Sequence, residues 1–375
     1  MQIYFTPSKT LDDFADQLRV ADQQGFGLIL VLACDGNDWS KRELEDLLAG
    51  MTTPILGGIF PAISKNDERH EQGAVLLGLE EEPDVARIVG MSDPECDYEQ
   101  QLMTQLDHWR LVHTEGTLVV LVDGLASRIS ALVESLFFVF GLENNFVGGG
   151  AGSLSFEQKP CIISSRGLEA DVALVLKLPR VSSIGVTHGW TPISDALEVT
   201  EADRNVVKSL NWQPAFEAYK RLVDAHSPAP ITREEFFEIA KSYPLGLQKL
   251  HGEMVVRDPL LVQNEHELVC VGEVPKGSFV RILNGDSASL LQAARRAREL
   301  VSDGDSDDDH QLLLFDCISR ALFLGPDIGQ ELKELNQGET SVGAFTLGEI
   351  ANSGMEYLEF LNKTTVLARI GKPVN

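Results

Sequence analysis

One order of segments recurs three times along this chain, and it constrains the fold more than any single motif does. LILVLA (28–33) runs into Cys34-Asp35-Gly36, a helical stretch over 40–50, the glycine-bearing run ILGGIFPAI and the apolar run GAVLLGL. LVVLV (118–122) runs into Asp123-Gly124, a helical stretch over 127–140, FVGGGAGS (146–153) and DVALVLKL (171–178). A third, looser copy passes from LLLF into Asp316-Cys317-Ile318-Ser319-Arg320, a helix reaching about Asn336, VGAFTLGEI and TTVLARI. Short unbroken apolar runs bounded by polar corners fit strands buried on both faces. Units this long and unevenly spaced are not solenoid repeats. They predict a mixed α+β protein in which repeated strand-helix-strand-strand units form mixed sheets covered by helices.

The chain has 375 residues, which exceeds one ordinary core and predicts two domains. The change in character over 211–230, where NWQPAFEAYKRLVDA reads as a helix closing the first domain, places them at 1–212 and 213–375. The formal net charge of -26 repels phosphate backbones and anionic headgroups, so nucleic-acid binding and electrostatic membrane docking are disfavoured. No run approaches the ~18 apolar residues of a membrane helix, and the N-terminus lacks signal-peptide features. Five scattered cysteines without C-x-x-C spacing read as free thiols, so a cytoplasmic protein without a metal site is expected.

Catalytic motifs are missing. There is no P-loop ending, nucleophile elbow or H-E-x-x-H helix, so no catalytic residue is assigned. The acidic stretch SDGDSDDDH (302–310) departs from a calcium loop at Asp308 and Leu314. What remains is a set of polar residues at strand ends, where α/β architectures bind ligands and glycines admit close approach. Cys34, Asp35, Asp123, Cys317, Arg320, Thr346, Glu349 and Asn362 make up this set, with the glycines around Gly149 beside them. The Arg320 fork suits a carboxylate; it equally suits a buried bridge to Glu349. His188, in GVTHGWTP, is a candidate haem ligand or a turn-capping residue, and TPISDALEVTEAD after it reads as a turn feeding a capped helix.

FDCISR (315–320), a helix carrying Glu331, VGAFTLGEIANSG (342–354) and LNKTTVLARI together resemble the C-terminal FIST domain. DGLASRISALVESLF, FVGGGAGS and GVTHGWTPISDALEVTEADRNVVKSLNWQPAFEAY resemble the N-terminal FIST domain and its junction. The order Ala344-Phe345, and Asp316 before the cysteine, depart from the family pattern. The resemblance implies a cytosolic sensory protein that binds a small molecule, such as an amino acid or small carboxylate, and acts on a separate signalling partner. Cys317, Arg320, Thr346, Glu349, Asn362, Asp123 and Gly149 are its expected ligand-binding residues. Some members are haem-binding nitric oxide sensors regulating histidine kinases, which makes haem at His188 the alternative. A cysteine-dependent enzyme using Cys317 is the third reading.

Overall fold

A computed structural model describes residues 1–106, 108–109, 115–249, 253–302, 310–352 and 357–373. The acidic positions 303–309 and the end of the VGAFTLGEIANSG motif at 353–354 lie outside the described residues. The protein is mixed α+β, as the repeats predict: three six-stranded mixed sheets and one antiparallel eight-stranded sheet, with helices outside.

Each repeat supplies the centre of one six-stranded sheet. Leu28–Cys34 runs parallel to Ile55–Phe60 and antiparallel to Ala74–Leu79. Thr117–Asp123 stands in the same relation to Asn145–Ala151 and Val172–Leu178. Gln311–Cys317 repeats it with Ser341–Thr346 and Thr365–Pro373. The register coincides as well. Val31 faces Gly57, Val120 faces Gly148 and Leu314 faces Gly343. A Cβ at these glycines would come within 2.0, 1.8 and 2.1 Å of the facing residue's carbonyl oxygen, so no other residue fits. Counting along, Cys34, Asp123 and Cys317 end their strands at equivalent positions, opposite Phe60, Ala151 and Thr346.

Both faces of these strands are buried, which is why their sequences are apolar without alternation. Leu30 and Leu32, Val119 and Leu121, and Leu313 and Phe315 point into one core shared by all three sheets. The intervening Ile29 and Val31, Leu118 and Val120, and Leu312 and Leu314 point outward against each sheet's own helices. Thr10 and Ser40 cap the helices Leu11–Asp22 and Lys41–Ala49 by accepting from the Asp13 and Glu43 N–H groups.

Runs read as single strands each divide between two sheets. ILGGIFPAI breaks at Pro61, and Ala62–Lys65 crosses to pair with Ser341–Thr346. VGAFTLGEI breaks at Leu347-Gly348, and Glu349–Ala351 crosses to Asn145–Ala151. The second unit sends Ile162–Ser164 to Ile55–Phe60. Every unit thus gives a strand to a neighbour's sheet, first to third, third to second and second to first. The exchange closes a ring.

Two other expectations change. The third unit's helix is interrupted: Ile318–Leu324 and Ile328–Asn336 are separated where Gly325 adopts φ +54° ahead of Pro326. TPISDALEVTEAD forms no helix. Leu197–Asp203 pairs with Val206–Leu210 as a hairpin whose turn holds Arg204 at φ +52°, and buried Val199 and Val207 anchor it. This hairpin belongs to the eight-stranded sheet, against which the helix Ala215–Asp224 packs with Phe236 and Tyr243. No helix of the described residues is long and apolar enough to cross a membrane.

Candidate functional site

The ends of the central strands of the second and third units converge. Gly124, just past Asp123, is pressed between the Gly150 Cα and Leu347, where an added Cβ would lie 2.8 Å from the Leu347 side chain. Between these corners and the eight-stranded sheet opens a cavity of about 460 Å³. Gly124–Ser127 form one side, Cys317, Ile318, Ser319 and Leu322 a second, and Asp258, Leu260 and Cys270–Glu273 a third. Gly348, Phe360 and Asn362 complete the floor, and Phe156, Phe237 and Arg204 stand at its margin.

Among the residues expected to bind ligand, Cys317 and Asn362 line this cavity. Thr346 and Glu349 lie behind them, fully buried. The Thr346 hydroxyl donates to Glu349 Oε1 at 2.8 Å and the Cys317 thiol donates to the same carboxyl group. Burial pushes Glu349 up to about 8, against those hydrogen bonds, which pull it down. Burial also raises Cys317, and the Glu349 charge adds to this, so the thiol keeps its proton at neutral pH. Gly149 faces Glu349 across the antiparallel ladder, and a Cβ there would meet the Gly348 carbonyl at 2.7 Å. Asp123 is committed to its own corner. It accepts from the Leu125 and Asp171 N–H groups and from Gln158.

Arg320 does not reach the cavity, and its bridge is not to Glu349. Its guanidinium is fully buried and donates to Glu331, to the His188 carbonyl at 2.5 Å, and to the Lys363 and Leu290 carbonyls at 3.3 Å each. Asp316 Oδ1 lies 3.3 Å from Nε. Burial raises both carboxyl groups despite this cation, Asp316 well above the usual range. One turn of helix separates Cys317 at the cavity from Arg320 in the core: the fork clamps four segments to its own helix instead of a ligand.

Sequence reasoning missed the charged pair on the floor. Asp258, 1% exposed, takes the Lys363 ammonium at 3.1 Å, and Lys363 also donates to the Lys241 carbonyl at 2.8 Å beside the Trp190 ring. Next to it, buried Arg257 donates to the Phe360 carbonyl at 3.0 Å. These contacts join the eight-stranded sheet to the ring of repeats. An aspartate and an arginine inside the apolar run VVRDPLLV were the available signal, since buried strands carry charge only where it is paired.

His188 turns away from this cavity. Its Nδ1 accepts from the Trp190 N–H at 2.9 Å, which leaves the proton on Nε2, 3.5 Å from Glu253. Burial and the nearby Arg320 charge lower it to about 4. The space before it, about 360 Å³, is lined by Lys249, Glu253, Arg296 and Glu359 among others. Apolar Val186, Met254, Leu300 and Leu361 share this lining with the charged groups, so a haem plane there would have charged side chains against part of the apolar ring surface it needs covered. Cys34 and Asp35 serve their own corner, through the His70 carbonyl and through Ser153 and Lys159 respectively. Among the described residues no cluster of His, Cys, Asp or Glu could hold a metal ion.

A search of the curated proteins finds no match. The FIST N domain matches residues 26–213 and the FIST C domain matches residues 215–352. With both domains matched in this order over most of its length, the chain belongs to the FIST family.

Proposed function

We propose that this protein is a small-ligand sensor whose ligand occupies the cavity between the second and third corners and the eight-stranded sheet. FIST domains are associated with signal-transduction sensors that bind small ligands. The observation that carries the placement is the cavity's position: the second corner, the third corner and the eight-stranded sheet meet around about 460 Å³, within the usual range for metabolite pockets. The buried contacts Arg257–Phe360 and Asp258–Lys363 border it, so an occupant changes the environment of the groups that join the eight-stranded sheet to the repeats. That gives a route from binding to a change at the surface, where a separate signalling protein reads it.

The test is a thermal-shift screen of small metabolites against the parent and Leu322→Trp. Leu322 is 53% exposed at the cavity's edge, so the larger ring closes the entrance without disturbing the core. A ligand at 100 times its Kd adds about 2.7 kcal/mol of stability. A hit that stabilises both proteins equally binds elsewhere, and the site assignment then fails.

A further inference from the structure

The cavity floor carries two acceptors without donors. Asp258 Oδ2 is engaged by Lys363 and by the Ser319 hydroxyl at 3.5 Å, whereas Asp258 Oδ1 and Asn362 Oδ1 receive no hydrogen bond from any described residue. Asp258 is 1% and Asn362 2% exposed. Buried acceptors left unsatisfied cost about 1–3 kcal/mol each, so two on residues lining one largely apolar cavity need an explanation.

Cations nearby are already spoken for. Lys363 holds Asp258, the Lys241 carbonyl and the Trp190 ring face. Arg320 is sealed behind by Glu331 and Asp316. Arg204 stands at the margin, not the floor, with its side chain 66% exposed. An entering carboxylate would meet Asp258 at the floor, and among the described lining residues only Arg204, out at the margin, is a cation to answer it. The walls are apolar, with Phe156, Leu347 and Phe360 prominent.

Resting on the cavity assignment above, we infer that the ligand carries a primary ammonium head on an apolar body, with the head donating to Asp258 Oδ1 and Asn362 Oδ1. An ammonium supplies three donors, and its bond to a carboxylate is charge-assisted. The apolar body takes up the wall area that water leaves unsatisfied.

The experiment titrates the full chain with hexylamine, phenethylamine, hexanol and hexanoate at fixed ionic strength, following melting temperature and calorimetric heat. Both amines give saturable stabilisation that exceeds that of hexanol, hexanoate gives none, and Leu322→Trp abolishes the response. Asn362→Leu, which removes one acceptor without creating a charge, weakens amine binding at least tenfold. Asp258→Asn weakens it further, and its circular dichroism is compared with the parent's because Lys363 loses its partner. Hexanoate binding as tightly as the amines, and blocked by Leu322→Trp, refutes the ammonium head while keeping the cavity. Amine binding untouched by Asn362→Leu refutes the head's location. Silence from both amines overturns the inference, and an Asn362→Leu protein no more stable than the parent then shows acceptors already satisfied by water.

Discussion

Gly149 and Glu349 stand opposite each other in one antiparallel ladder, although the second unit supplies the glycine and the third the glutamate. The glycine's missing side chain lets the Leu347-Gly348 turn close over the second sheet and holds Glu349 beneath the Cys317 thiol. The site's back wall therefore exists only because the strands have exchanged.

Gly149→Ala tests this. Its Cβ would lie 2.7 Å from the Gly348 carbonyl and 2.9 Å from the Thr346 methyl, both held by backbone pairing. The expected loss is about 1–3 kcal/mol, read from the urea midpoint at constant m. Gly329→Ala is the control. It lies in the helix Ile328–Asn336 with its nearest neighbour, the Asp67 carbonyl, at 3.5 Å, so it should be neutral or gain up to about 1 kcal/mol.

Arg320 is predicted to act on stability before it acts on binding. Arg320→Met leaves Glu331 and Asp316 buried without their cation and costs about 3–5 kcal/mol. Adding Glu331→Leu removes one of the stranded carboxyl groups, and the double variant should recover part of that loss in the same denaturant titration. A stable single variant that had lost only its ligand response would restore Arg320 to the binding site.

The sequence made the units legible because each central strand buries two faces and each parallel partner needs a glycine at a fixed place. Gly57, Gly148 and Gly343 report that requirement directly. Partner choice was not legible, since Ala62–Lys65 and Glu349–Ala351 look like continuations of the strands they follow. Only a turn at Pro61 or Gly348 redirects them, and turns do not name their destination. The candidate site was half visible for a related reason. Cys317 and Asn362 sit at strand ends and do reach the cavity, while Arg320 occupies the next turn of helix and faces inward. Asp258 lies on a strand from another sheet, so no local pattern links it to the third corner.

Glu349 makes stability fall with rising pH over a window where surface carboxylates do not titrate. Its folded value, about 8, lies above the unfolded value of roughly 4.3, so the folded state binds the extra proton between them. The stabilisation is complete below the unfolded value and is lost as pH climbs to the folded one, at up to about 1.4 kcal/mol per pH unit. Glu349→Gln keeps an acceptor for Thr346 but cannot ionise. Between pH 6 and pH 8 the parent should lose about 2 kcal/mol more than the variant in paired denaturant titrations. Parallel curves would mean a carboxylate already ionised at neutral pH.

The thiols separate a sensor from a cysteine enzyme by rate of alkylation. Cys34, Cys161, Cys270 and Cys317 are buried free thiols, and burial raises all four, Cys34 and Cys270 to about 12. Cys96 is the one partly exposed thiol, although burial and the Asp93 charge raise it as well. Iodoacetamide acts on the thiolate, and a buried thiol with a raised value offers neither the anion nor access. At neutral pH, peptide mapping should find Cys96 modified first, with the other four protected until denaturant is added. Cys317 lies at the cavity yet hands its proton toward Glu349, itself neutral at that pH, so no base stands ready to take it. Modification of Cys317 as fast as Cys96 would reverse this reading, because it requires a thiolate at the cavity floor and hence a nucleophile in place of a packing group.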